Sequence, residues 1–171
     1  MRNPTFAARE EIKREEALRL KAYRDFKGVP TIGWGHTRGV TMGMVITEQQ
    51  AIDLLDEDIA EAVRSIYRHL PVDLIDALPV KCFDALVSFI FNVGEQAFRD
   101  PKTGKRTQFH RAITTDITLV PAQMQRWVRS GNKVAPGLVA RRGREAAMWG
   151  AGLLERQQSD AHALGTESGI E

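Results

Sequence analysis

The chain has 171 residues, 43% of them apolar and 27% charged, and a formal net charge of +2. That length fits one domain or two small lobes on a shared core, with enough burial that neither disulfides nor a structural metal is needed. One cysteine, Cys82, rules out an internal disulfide, and no apolar run approaches the roughly 18 residues of a membrane span.

Asn3-Pro4-Thr5 supplies capping residues for a helix expected from Phe6 to Leu20, with Glu16 near its C-terminal end. A carboxylate there gains nothing from the helix dipole, so its position invites a functional reading beside the ordinary one of a solvated glutamate. From 22 to 46, five glycines are set among β-formers such as Val29, Ile32, Trp34 and Val40, which predicts short strands and tight turns in a small β lobe. Asp25-Phe26-Lys27-Gly28 suits its first turn.

Thr47 and Gln50 match a capping box and open a helix over 48–70, with Ile52, Leu55, Ile59, Val63, Ile66 and Leu70 spaced by threes and fours. Its acidic residues read as a solvated face. After Pro79 the segment VKCFDALVSFIFNV is apolar nearly all round, which predicts a helix buried on most sides, with Cys82 a structural thiol and Gly94 the stop. A basic loop over 99–106 leads to a short helix capped by Thr107. Further helices are expected at 121–129 and from Pro136 to about Trp149, and the polar end, 157–171, as a frayed tail. Through Ala85 the chain holds 12 basic and 14 acidic residues, and after it 12 and 8, so the C-terminal half is the basic one.

Hydrolysing a glycosidic bond takes one carboxylic acid to protonate the leaving oxygen and a second carboxylate to activate water or attack the sugar. Glu16 and Asp25 supply such a pair, nine residues apart across the change from helix to turn. Different surroundings split carboxyl pKa values. A Glu16 shielded by apolar walls would keep its proton, while a wetter Asp25 would stay ionised. Thr31, whose hydroxyl donates and accepts, suits the orienting of a water. Spacing alone is a weak signal. Rival chemistries fare worse: H-E-x-x-H, G-x-S-x-G and G-K-[ST] are missing, and His36, His69, His110 and His162 lack metal-ligand spacing, so no metal is expected.

The stretch EALRLKAYRD at 16–25, continuing as GVPTIGWGHT at 28–37, resembles the phage lysozymes of the T4 lysozyme type, muramidases that cleave bacterial peptidoglycan. Two later blocks, LVSFIFNVG at 86–94 and GLVARRGRE at 137–145, are similar to that family's in its order, so the resemblance covers roughly 10–150. It implies an α+β, mainly α fold of two lobes within one lysozyme-like domain over 1–171: a small β lobe at about 22–46, a bridging helix at about 48–70, and a larger helical lobe at about 71–150 that includes the N-terminal helix. The implied substrate is the β-1,4 bond between N-acetylmuramic acid and N-acetylglucosamine, cleaved with inversion. Glu16 would be the general acid, with Asp25 and Thr31 activating and positioning water, and no cofactor is implied. Thr37 corresponds to a sugar contact, Phe91 and Asn92 to cleft-facing positions, and His36 with Asp58 to an ion pair tying the β lobe to the bridging helix. Arg141 and Arg142 look like partners for buried or interface carboxylates. Two departures stand out: Ala17 replaces a frequent glycine, and the 99–109 loop is longer than the family's usual turn.

On this resemblance the chain is expected to be an endolysin that lyses the host cell. It would act on bacterial peptidoglycan as a monomer, without nucleic acid or membrane insertion. Lacking a signal peptide or anchor, it would wait in the host cytoplasm and depend on a separate holin for access to the wall. A non-catalytic peptidoglycan-binding module and a nucleic-acid-binding protein resting on the basic half are the alternatives; Glu16→Gln would change no turnover in the first, and duplex DNA binding with a steep salt slope would mark the second.

Overall fold

The computed structural model describes the backbone of residues 1–167 and the side chains of 1–163. The fold is mainly helical α+β with a small β-sheet. Helix α1 (Phe6–Glu15) starts at Thr5, whose hydroxyl accepts the amide of Ala8 and donates to Asp84 at 2.6 Å. This contact seats the first turn on the buried helix α4 (Val80–Val93). The helix stops at Glu15, earlier than helix propensity suggests, and Glu16 is already extended (φ −111°, ψ 123°). Pairing decides this. Residues Arg19–Arg24 form β1, antiparallel to β2 (Pro30–Gly33), and β1 is bonded on its other edge by Ala22 N–H to Met44 O and Ile46 N–H to Leu20 O, both 2.9 Å. Both edges of β1 are thus used, which outweighs the modest helix preference of Leu, Arg and Lys, and the β lobe begins at 19 rather than 22.

Helix α2 (Glu48–His69) carries both halves of its capping box. Two neighbouring residues on it serve two cores: Leu55 is buried in the large cluster, and Leu54 packs against the small one of Ala22, Ile32 and Val40 under the β lobe. A short helix α3 (Val72–Ala77), unforeseen in the sequence, follows Pro71 and buries Ile75. Nine residues of α4, Cys82 to Ile90, are buried. Its close partner is the last helix, α7 (Pro136–Glu167). The crossing is tight enough that a Cβ on Gly152 would lie 2.8 Å from Cys82 Sγ and 3.0 Å from its amide nitrogen, so glycine is required there. Cys82 Sγ donates to the Trp149 carbonyl at 3.3 Å, and burial pushes the thiol up to about 12.

The second half departs from the sequence reading in two places. Helix α5 (Gln108–Thr115) follows its Thr107 cap, but α6 spans only Val120–Met124 instead of 121–129. The chain then forms a hairpin, β3 (Arg129–Ser130) with β4 (Lys133–Val134), around Gly131. Ser-Gly-Asn turn chemistry and the stiff Trp127-Val128 pair override a weak helical pattern. Helix α7 runs to Glu167 instead of ending near Trp149, and takes in residues 157–167 of the expected frayed tail. Once nucleated on α4 a helix extends at little cost, and Leu153 on the core with the Lys81–Glu155 ion pair holds the extension. Of the expected tail, residues 168–171 lie outside the described residues.

Candidate active site

Glu16 follows the last turn of α1 and its side chain is 26% exposed. Its Oε1 is 2.5 Å from Arg141 Nη1 on α7. The condition of apolar walls around Glu16 is not met on this oxygen, which faces a guanidinium because α1 ends against the charged flank of α7. Gly35 lies on the other side, where a Cβ would stand 3.7 Å from Oε2, and its φ of +94° favours glycine. Oε2 therefore faces the β lobe past a backbone with no side chain in the way.

Asp25 sits in the turn between β1 and β2. Its Oδ1 accepts two amides, Lys27 N–H at 2.9 Å and Val29 N–H at 2.7 Å, which fixes the carboxylate and leaves Oδ2 for another partner. Thr31, 3% exposed, donates its hydroxyl proton to the Val29 carbonyl at 2.9 Å. With that proton committed, Thr31 Oγ1 can only accept a further hydrogen bond. Asp25 and Thr31 are thus linked through one residue, Val29.

One hollow is lined by Glu16 itself, and a second begins at Gly35. The first, of about 760 Å³, is lined by Glu16, Phe26, Lys27, Asn92, Trp127 and Arg141 among others. The other, of about 370 Å³, is lined by Gly35, Thr37, Asp58, Ser65, Phe91 and Glu95 among others. Asn92 thus shares a wall with Glu16, and its Oδ1 accepts from Arg142 Nη2 at 2.8 Å. Thr37 and Phe91 belong to the second hollow, and Phe91 also packs on the main core. Asp25 and Thr31 line neither; the neighbours of Asp25, Phe26 and Lys27, do. His36 Nδ1 lies 2.9 and 3.0 Å from the two Asp58 oxygens, and its Nε2 faces the Arg38 carbonyl at 2.8 Å. That contact ties the loop after β2 to α2. Among the described residues no His, Cys, Asp and Glu side chains cluster in threes as a metal site would require.

Sequence reasoning did not foresee three neighbours of Glu16. Glu15 is gripped by Arg144 through Nε at 2.6 Å and Nη2 at 2.8 Å. Glu145 is buried beside Arg141 and Arg142, at 1% exposure. Trp127 and the hairpin after it wall the larger hollow. The R-R-x-x-E spacing, three and four residues on a helix, carried the signal for the buried triad.

Burial works against the ionised form of Glu15, but the hydrogen bonds and charge of Arg144, with the charge of Arg141, outweigh it and hold the carboxyl below its ordinary 4.5. A folded value below the unfolded one adds stability above the unfolded value, lost as pH falls through the folded one. Glu15→Gln should therefore be destabilised by about 1 kcal/mol in urea melts at pH 7, with no difference from wild type once both states are protonated at low pH. An equal difference at both pH values would refute the linkage.

Residues 13–145 match the family model described as phage lysozyme. The endolysin of Bacillus phage PZA is 40% identical over 147 residues, which cover 82% of this chain and 52% of that protein, so the chain spans about half the length of that relative. The SAR-endolysin of Bacteriophage PS119 is 33% identical over 138 residues, covering 79% of this chain and 77% of that one. The active form of the P1 phage endolysin Lyz superposes with a TM-score of 0.76 at 28% identity, covering 88% of this chain and 86% of that chain. A family match over most of the length, on a fold that gathers Glu16, Arg141 and Gly35 between a small β lobe and a helical lobe, shows that the chain belongs to the phage lysozyme family.

Proposed function

We propose that this protein is a muramidase that hydrolyses the β-1,4 bond between N-acetylmuramic acid and N-acetylglucosamine in bacterial peptidoglycan, and so acts as an endolysin. The observation that carries the proposal is Glu16, held by Arg141 on one oxygen and facing Gly35 with the other, in the wall of one hollow while Gly35 lines a second, a pair of hollows that suits an extended saccharide. In this reading Glu16 Oε2 protonates the leaving oxygen. A water donates one hydrogen to Asp25 and the other to Thr31 Oγ1, which has no proton left to offer, and its lone pair attacks the anomeric carbon with inversion. Thr37, Phe91 and Asn92 contact the sugar chain.

The whole chain would act as one lysozyme-like domain and as a monomer, with no nucleic acid among its partners. Among the described residues no helix is long and apolar enough to cross a membrane. A cytoplasmic store released by a separate holin is the route proposed here, and a relative named SAR-endolysin makes export the competing one. The test of the activity is digestion of purified peptidoglycan followed by borohydride reduction and mass spectrometry. New muramitol ends are expected. Glucosaminitol ends would assign the other glycosidic bond, and no new ends would overturn the proposal.

A further inference from the structure

Beyond the hold of Arg141 on Glu16, the buried charges behind the site have no role in the reaction as described, and three ionisable groups in a core call for one. Arg142 is fully buried, and Arg141 and Glu145 are 4% and 1% exposed. A buried ionic cluster is a poor source of stability, since packed apolar residues usually serve as well. Its geometry, however, runs straight to the site. Glu145 Oε1 accepts from Ser88 Oγ on α4 at 2.9 Å and from Arg141 Nε at 3.2 Å, while its Oε2 lies 3.1 Å from Arg142 Nε. Arg141 Nη2 reaches the Ser88 carbonyl at 3.4 Å, and that leaves Nη1 for Glu16. Arg142 is held in turn over the Phe89 ring at 4.8 Å and by Asn92.

We infer that Glu145 is a positioning residue for the reaction: it fixes Arg141 so that one nitrogen meets Glu16, and its negative charge offsets the two guanidiniums so that Glu16 can still carry a proton. This rests on Glu16 being the general acid. Two guanidiniums close to a carboxylate favour its ionised form, and an ionised Glu16 has nothing to donate. A second carboxylate shared by the same guanidiniums weakens that pull. The charged groups facing Glu145 are Arg141, Arg142 and Arg144, all on α7, with the Ser88 hydroxyl on α4. Those around Glu16 are Arg141 and Arg142 from α7 and Glu15 from α1. Across the same hollow stand Lys27 from the β lobe and Arg126 and Arg129 from the segment before and within β3. Glu145 is the buried acid in the set, and burial pushes its carboxyl up against the opposing pull of Arg142 and Arg141.

The experiment is the pH profile of kcat/KM for peptidoglycan solubilisation by wild type, Glu145→Gln, Ser88→Ala and Glu16→Gln, with thermal melts of each. Glu145→Gln keeps the shape and removes the charge. Its alkaline limb, which reports the acid, should move to lower pH by about one unit. A structural role alone would lower the Tm and leave that limb in place, and this outcome overturns the inference. Ser88→Ala withdraws a donor from ionised Glu145 and should move the limb the same way by a smaller step; it decides the question if Glu145→Gln does not fold. An active Glu16→Gln would sink the assignment of the acid itself. An inactive Glu16→Gln, with an unmoved limb in the folded Glu145 or Ser88 variant, would sink the positioning role alone.

Discussion

Glu16→Gln should lose turnover by about 10³-fold, within the range that a positioned general acid contributes. The amide keeps the size of the side chain and can still accept from Arg141 Nη1, and Arg141 retains its second anchor at Glu145, so the fold should be nearly unaffected. The loss should fall on kcat with KM little changed, because the proton is needed only as the glycosidic bond breaks. Reducing-end release from purified peptidoglycan, followed over a substrate range, measures both constants. Turnover within tenfold of wild type would place the acid elsewhere and leave Glu16 as a carboxylate that merely pairs with Arg141.

Trp149→Ala should produce the largest loss of stability. The side chain is fully buried on the core face of α7, and its Nε1 donates to the Ile117 carbonyl at 2.9 Å. Truncation leaves a cavity beneath the α7 backbone and an unpartnered carbonyl at the other end, for about 4 kcal/mol together. For a domain of this size that corresponds to a Tm lower by roughly 10 °C. Trp149→Phe should fall between the two, filling much of the space without restoring the hydrogen bond. Denaturant melts read by circular dichroism test the pair. A loss below 1 kcal/mol for Trp149→Ala would mean that α5, α6 and the segment between them close over the space.

What the sequence made legible follows from how local each determinant is. Helix α2 announced itself through a capping box and threefold-fourfold spacing, and α4 through an apolar run bounded by Pro79 and Gly94; both signals sit inside the element they describe. The end of α1 was not legible, because Ala17, Leu18 and Lys21 are sound helix formers. Hydrogen bonds from β1 to residues near 31 and 45 take Arg19 and Leu20 out of the expected helix, and those partners lie outside any local window. The same distinction holds in the site. The turn that fixes Asp25 is local, made by Lys27 and Val29 amides, and its Asp-x-x-Gly composition is visible in the chain. The environment of Glu16 is not, since Arg141 stands 125 residues away. Whether Glu16 has an apolar shield is therefore not readable from the sequence, and a guanidinium shared with a second carboxylate is what tertiary packing put there.

The seat of Cys82 has a practical consequence. Its sulfur is buried against the α7 backbone at Gly152, donates to the Trp149 carbonyl, and keeps its proton to about 12, so almost none of it is thiolate at neutral pH. Maleimide and methanethiosulfonate reagents should pass it by while the native state holds. The wild-type chain is then a ready background for site-directed labelling: one cysteine introduced on the β lobe and another on α7 would take a spectroscopic pair without the native thiol being removed.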